Sequence, residues 1–263
     1  MQLRKMGGSL KAAIIFPYIT LILLSYSCSS ITVYNPSSRF MTSESTGRTF
    51  AGAGSFGSNG GTQATISLEN GKINNEVKLR NNVSPLTGAF EMGIIKQLDF
   101  FTKTNINSPS LTGLKYQIYG ESRAKADEGN TSIAISIAAG GQSKEAQSNT
   151  IFFSSDIEKY SVHHNVTDFS IMGGHRFDKD ILTYASIQYT RNTVKIELES
   201  TDMSLHGKNF IIENNTIGYS LGVVRYWKTY FLNAELSAQI NRWSHSDQMT
   251  FAFVNLNMGW KWN

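Results

Sequence analysis

The last strand of this chain leaves little choice of fold. From Ala252 on, every second residue (Ala252, Val254, Leu256, Met258, Trp260 and Trp262) is apolar, with Asn255, Asn257, Gly259 and Lys261 between them. A period of two means an extended strand with one apolar face, because successive side chains on a strand point to opposite sides. The same alternation recurs upstream. Leu232, Ala234, Leu236, Ala238 and Ile240 oppose Asn233, Glu235, Ser237, Gln239 and Asn241, and Ile217, Tyr219, Leu221 and Val223 oppose Thr216, Gly218, Ser220 and Gly222. Ile133, Ile135 and Ile137 alternate with Ser132, Ala134, Ser136 and Ala138, and shorter versions run through Phe90–Ile94, Leu114–Ile118, Phe169–Ile171 and Ala185–Tyr189. An all-β chain of antiparallel strands is expected.

Alternation alone fits two architectures. A soluble sandwich hides its large residues inside, whereas a membrane barrel turns them outward to lipid and lines a polar lumen. Loop lengths favour the barrel. The connections at Trp227 to Tyr230, Phe177 to Asp180 and Lys96-Gln97 are short, and those at Glu199 to Asn209 and Gln142 to Lys159 are long, as when turns gather at one rim and loops at the other. The segments give about ten strands, with eight or twelve open. The choice turns on whether Phe50 to Leu68 is one long strand or a hairpin about Ser58-Asn59-Gly60-Gly61. Glu69 to Pro85 is polar and Asn-rich and reads as a loop.

The ending Met258-Gly259-Trp260-Lys261-Trp262 resembles the C-terminal targeting signal of bacterial outer-membrane β-barrel proteins, which pairs a glycine with alternating terminal aromatics. Here one residue, Asn263, follows the final aromatic. The resemblance implies an outer-membrane barrel delivered to the barrel assembly machinery, with Trp260 and Trp262 at the lipid-water interface. At the other end, Arg4, Lys5 and Lys11 precede an apolar run from Ala12 to Leu24, too short for a comfortable membrane span and suited to a signal peptide over residues 1–27. Leu24-Ser25-Tyr26-Ser27-Cys28 is similar to the lipobox of bacterial lipoproteins, although Ser25 stands where that family prefers leucine. The resemblance implies lipidation of Cys28, residues 28–48 as a Ser/Thr-rich tether, and a barrel over residues 49–263. The N-terminus then lies on the periplasmic side of a Gram-negative-type outer membrane, in contact with its lipid.

Composition excludes other classes. A net charge of +4 falls to +1 once Arg4, Lys5 and Lys11 are removed, which leaves no electrostatic footprint for nucleic acid. The single cysteine excludes an intrachain disulfide. Inward parity assigns Glu91, Lys115, Asp168 and Glu235 to the lumen, with Asp99, Lys103 and Lys261 nearer the rims. They either pair across a filled interior, the reading favoured for a barrel this small, or line a narrow porin-like path for small solutes. No cofactor or metal site is expected: His163 and His164 diverge on a strand, and His175 and His206 stand alone. Ser244-His245-Ser246-Asp247 has the residue types of a hydrolase, and lipid A deacylases and phospholipases do occupy outer membranes, but adjacent His and Ser would face opposite ways. Three expectations result: a structural, surface-exposed or pore-forming outer-membrane barrel; a lipid-modifying hydrolase in the same membrane; or a secreted β-sandwich that binds a ligand or partner.

Overall fold

In the computed structural model, residues 29–38, 40–69, 72–106, 108–148, 158–199, 207–244 and 246–262 are described. The leader, Cys28, His206 and His245 lie outside them. The strands are β1 (Ser29–Pro36), β2 (Gly52–Glu69), β3 (Lys72–Ile95), β4 (Leu98–Asn105), β5 (Ser108–Tyr119), β6 (Thr131–Ser148), β7 (Glu158–Asp178), β8 (Ile181–Glu199), β9 (Asn209–Tyr226), β10 (Tyr230–Trp243) and β11 (Met249–Trp262). Sequential antiparallel pairing from β2 to β11, closed by β11 on β2, makes a ten-stranded barrel, and β1 is an extra strand paired only with β2. The closing seam sets Gly52 to Ser58 against Leu256 to Trp262. There the Trp260 and Trp262 rings lie over Gly54 and Gly52, whose missing side chains would otherwise run into them at 2.6 and 2.3 Å.

The polarity of the wall inverts along its length. On β8, Ala185, Ile187 and Tyr189 face outward and Ser186, Gln188, Thr190 and Asn192 inward; beyond them Val194, Ile196 and Leu198 are buried inside while Arg191 is exposed. On this strand the parity never changes; only the residue types swap. The half nearer the C-terminus, here the near end, therefore carries an apolar outer belt that includes Phe169, Ile171, Leu221, Leu236 and Val254. The far half instead encloses a hydrophobic core in which Ile31, Val33, Ala64, Ile66 and Val77 of β1–β3 pack with Tyr160, Val162, Val194, Ile196, Ile212 and Trp243. That half is built on a sandwich's principle, continuous with a barrel built on the opposite one.

One open choice is settled and one loop assignment is corrected. Phe50 to Leu68 includes no hairpin: β2 runs unbroken through the glycines with an irregularity between Gly57 and Asn59. Most of Glu69 to Pro85 belongs to β3, which pairs with β2 through Lys72. Its alternation is real but sparse, with Val77 and Leu79 facing the core between Lys78 and Arg80, so polar outward residues dominate the composition.

The larger correction concerns residues 28–48. The described part is no external tether. Ser29 pairs with Leu68 at the far end, and Pro36 pairs with Gly61. The chain then leaves the wall and descends inside the barrel, with Ser37, Ser38 and Thr42 to Thr46 all buried. It emerges at the near end, where Phe50 N–H donates to the Gly93 carbonyl at 2.9 Å, and turns back up as β2. The first described residue and the last thus lie at opposite ends of the barrel, not on one side.

Candidate functional site: a lumen filled by the chain's own segment

A barrel of eight strands is just filled by its own side chains. Ten strands leave room for about one more extended segment, provided that segment is thin. Ser37-Ser38 and Thr42-Ser43-Glu44-Ser45-Thr46 meet that requirement, since each hydroxyl is small and both donates and accepts. Where the fit is tightest the wall gives way instead: a side chain at Gly174 would meet the Ser43 hydroxyl at 2.3 Å. Gly47 has φ +86° and sits against Ser122, so the bend leaving the lumen needs glycine twice over.

The described part of the segment is hydrogen-bonded at successive points of its descent. Ser37 donates to the Gly60 carbonyl at 2.7 Å and accepts from Ser237 at 2.8 Å. Asn59 reaches the Ser38 carbonyl at 3.1 Å, Gln188 the Ser37 carbonyl at 2.9 Å and Gln239 the Pro36 carbonyl at 2.8 Å. Ser43 and Ser132 hydroxyls are 2.6 Å apart, and Gln117 accepts from the Ser45 amide and hydroxyl, both at 2.7 Å. Thr46 donates to Asp99 from its hydroxyl at 2.7 Å and its amide at 3.0 Å. A polar backbone can be buried here because its groups are paired.

Near its base the segment is held by charge. The fully buried Glu44 carboxylate takes two 2.7 Å bonds from Arg176 and one of 3.1 Å from Asn130. Lys115, equally buried, donates to the Glu44 carbonyl at 2.7 Å and pairs with Glu91 and with Asp99 at 3.2 Å. From the loop between β5 and β6, Arg123 reaches Glu91 at 3.1 Å. Burial would weaken Arg123's hold on its proton, yet Tyr226, Glu91 and Asp99 keep its pKa above the ordinary guanidinium value. Arg176 and Lys261 also lie against the Tyr226 ring, at 5.2 and 5.1 Å.

The lumen residues expected from parity fall in two groups. Glu91 and Lys115 join the charged cluster that holds the base of the segment, together with Asp99. Asp168 and Glu235 are buried elsewhere on the wall, Asp168 accepting from Thr190 at 2.7 Å and Glu235 from Tyr184 at 2.6 Å. Lys103 is buried near the Phe101 ring, and Trp260 and Trp262 face outward at the seam. Sequence reasoning passes over Glu44, Arg123 and Arg176. The available signal was a lone acid in a Ser/Thr run, which parity does not reach because the segment is not in the wall.

Small internal spaces remain among the described residues, ≈ 20 Å³ beside Phe40 and Lys103 and ≈ 40 Å³ beside Thr46 and Arg123. Each has room for about one water. Two larger hollows lie on the outside of the wall, one of ≈ 810 Å³ over Gly173, Ala185 and Ala234, the other of ≈ 430 Å³ over Gly141 and His163. His163 and His164 diverge: His163 faces out, 2.9 Å from the Ser143 hydroxyl, and His164 faces in, 3.0 Å from Asn192. Among the described residues no His/Cys/Asp/Glu group could hold a metal. Comparison of the chain with protein-family models, curated proteins and solved structures finds no match.

Proposed function

We propose that this protein is an outer-membrane β-barrel closed to solute flow, holding a strand-built head above the bilayer. Crossing a bilayer takes about 9–11 residues per tilted strand. Strands β2, β3 and β6 to β9 have between 18 and 24 residues, roughly twice that, and the change of wall polarity marks where lipid would end and water begin. A soluble protein would leave Leu221, Leu236 and Val254, 65%, 60% and 69% exposed, in a belt facing water. The resemblance of the ending to a targeting signal and the short turns support a near end in the periplasm, where barrel assembly machinery would act, and a far half outside.

The observation that carries the closed reading is the filled lumen, with Glu44 bound to Arg176 and Lys115 holding the descending backbone. Of the expected roles, this favours a structural or surface-displaying protein over a solute path. No catalytic step belongs to it. Purified folded protein in planar bilayers tests it: the expected record is flat, with a heat-dependent electrophoretic shift confirming that the inserted material is folded. Stable porin-like current steps from folded protein would overturn the closed reading.

A further inference from the structure

The ten-stranded wall is a closed ring, and a segment inside a ring has only two exits. Here the chain uses both. β1 begins beside Leu68 at the far end, Ser43 touches Ser132 partway down, Thr46 bonds to Asp99 near the base, and Phe50 leaves at the near end under Trp262, whose indole N–H donates to its carbonyl at 2.9 Å. Both rims of the lumen are occupied by the described residues of this stretch, and Ser29, the first of them, stands at the far end.

We propose that the barrel carries its own N-terminus across the outer membrane, displaying it on the cell surface while the C-terminus stays periplasmic. The inference rests on the outer-membrane reading above and adds a topology to it. Cys28 immediately precedes Ser29 in sequence, so a lipid attached there belongs to the outer face of the membrane and not to the periplasmic leaflet. The physical support is the number of bonds that would be lost by any other path. A segment hanging in the periplasm would take the Glu44 carboxylate from Arg176, the Thr42 and Glu44 carbonyls from Lys115, the Ser45 donors from Gln117 and the Ser38 carbonyl from Asn59, and a buried group left without a partner costs about 1–3 kcal/mol, more where charged.

The test uses the full chain in cells. Thr32 on β1 is exposed at the far end, and Lys228, in the turn between β9 and β10, is exposed at the near end. Thr32→Cys and Lys228→Cys are treated with a membrane-impermeant maleimide before and after permeabilisation, against the parent chain as background for Cys28. The expected result is labelling of Thr32→Cys on intact cells, several-fold above background, and of Lys228→Cys only after permeabilisation. Labelling of both only after permeabilisation, or the reverse order, overturns the proposal. A second readout is independent of orientation: in Ser43→Cys/Ser132→Cys, oxidation forms a crosslink if the segment lies in the lumen, and its absence in folded barrel overturns the threading. Chain recovered without detergent, with no heat-dependent band shift and equal labelling at both positions, would overturn the outer-membrane reading instead.

Discussion

Glu44→Ala removes a carboxylate that is wholly buried and leaves Arg176, 3% exposed, without its two 2.7 Å bonds. Breaking a buried pair from one side costs about 3–5 kcal/mol, because the surviving charge stays out of water. The low end applies, since Arg176 keeps the Lys179 carbonyl and the Tyr226 ring. About 3 kcal/mol is roughly a hundredfold in the folding equilibrium. Arg176→Met should cost a similar amount by stranding Glu44. The double variant should recover at least about 2 kcal/mol of the summed losses, the coupling expected of groups in direct contact. The assay is urea unfolding in lipid vesicles, followed by the heat-dependent band shift. Lys115 still holds the Thr42 and Glu44 carbonyls in Glu44→Ala, so the variant should remain non-conducting. If Glu44→Ala and Arg176→Met each lie within about 0.5 kcal/mol of the parent, the range of a neutral surface change, the pair does not anchor the segment and the reasoning fails.

Gly174→Val should push Ser43 off its seat and lower the unfolding midpoint by an amount corresponding to about 1–3 kcal/mol. Gly173→Val, one residue away on the outer face with open space around it, should leave the midpoint unchanged. At the closing seam, Gly54→Val collides with the Trp260 ring and should reduce the yield of the heat-modifiable band on refolding, while Gly54→Val/Trp260→Ala regains part of it. Ile196→Ala, in the sealed core of the far half, should cost about 2–5 kcal/mol in urea unfolding. Leu221→Ala, on the exposed apolar belt, should cost much less, and equal losses at the two sites would contradict the inversion of polarity.

Much of the wall was legible because its signal is local. Ile217 to Val223 and Leu232 to Ile240 each declare a face within a few residues, and about ten wall strands follow from counting such faces, with eight or twelve left open by the glycine-rich stretch that the structure shows as the single strand β2. The far half was harder for the same reason. On β3, Ile73, Val77, Leu79 and Val83 are scattered among lysine, arginine and asparagine, so a strand with a polar outer surface reads as a loop. The lumen segment was misread for a different cause. Ser37 to Thr46 has no period because its surroundings are polar on every side, and lack of period looks the same in a free tether as in a chain packed within a polar tube. Glu91 and Lys115 could be assigned to the interior by parity, but not to each other, since β3 and β5 are brought together only by the register of β4 between them.

A ring closed around a strand of its own chain restricts the order in which the molecule can be made. β2 carries β1 along its far half and meets β11 along its near half, so the same strand both holds the inner segment and completes the circle. Were β11 to join β2 first, residues 29–48 would have to be pushed lengthwise through a gap that already fits them tightly. Assembly is simpler if the segment settles against the open sheet and the β2–β11 seam forms last, the inner chain serving as the former around which the sheet is rolled. The seven residue pairs of that seam, with two tryptophan rings lying over two glycines, would then be the final step of folding and the first to yield when the barrel is opened.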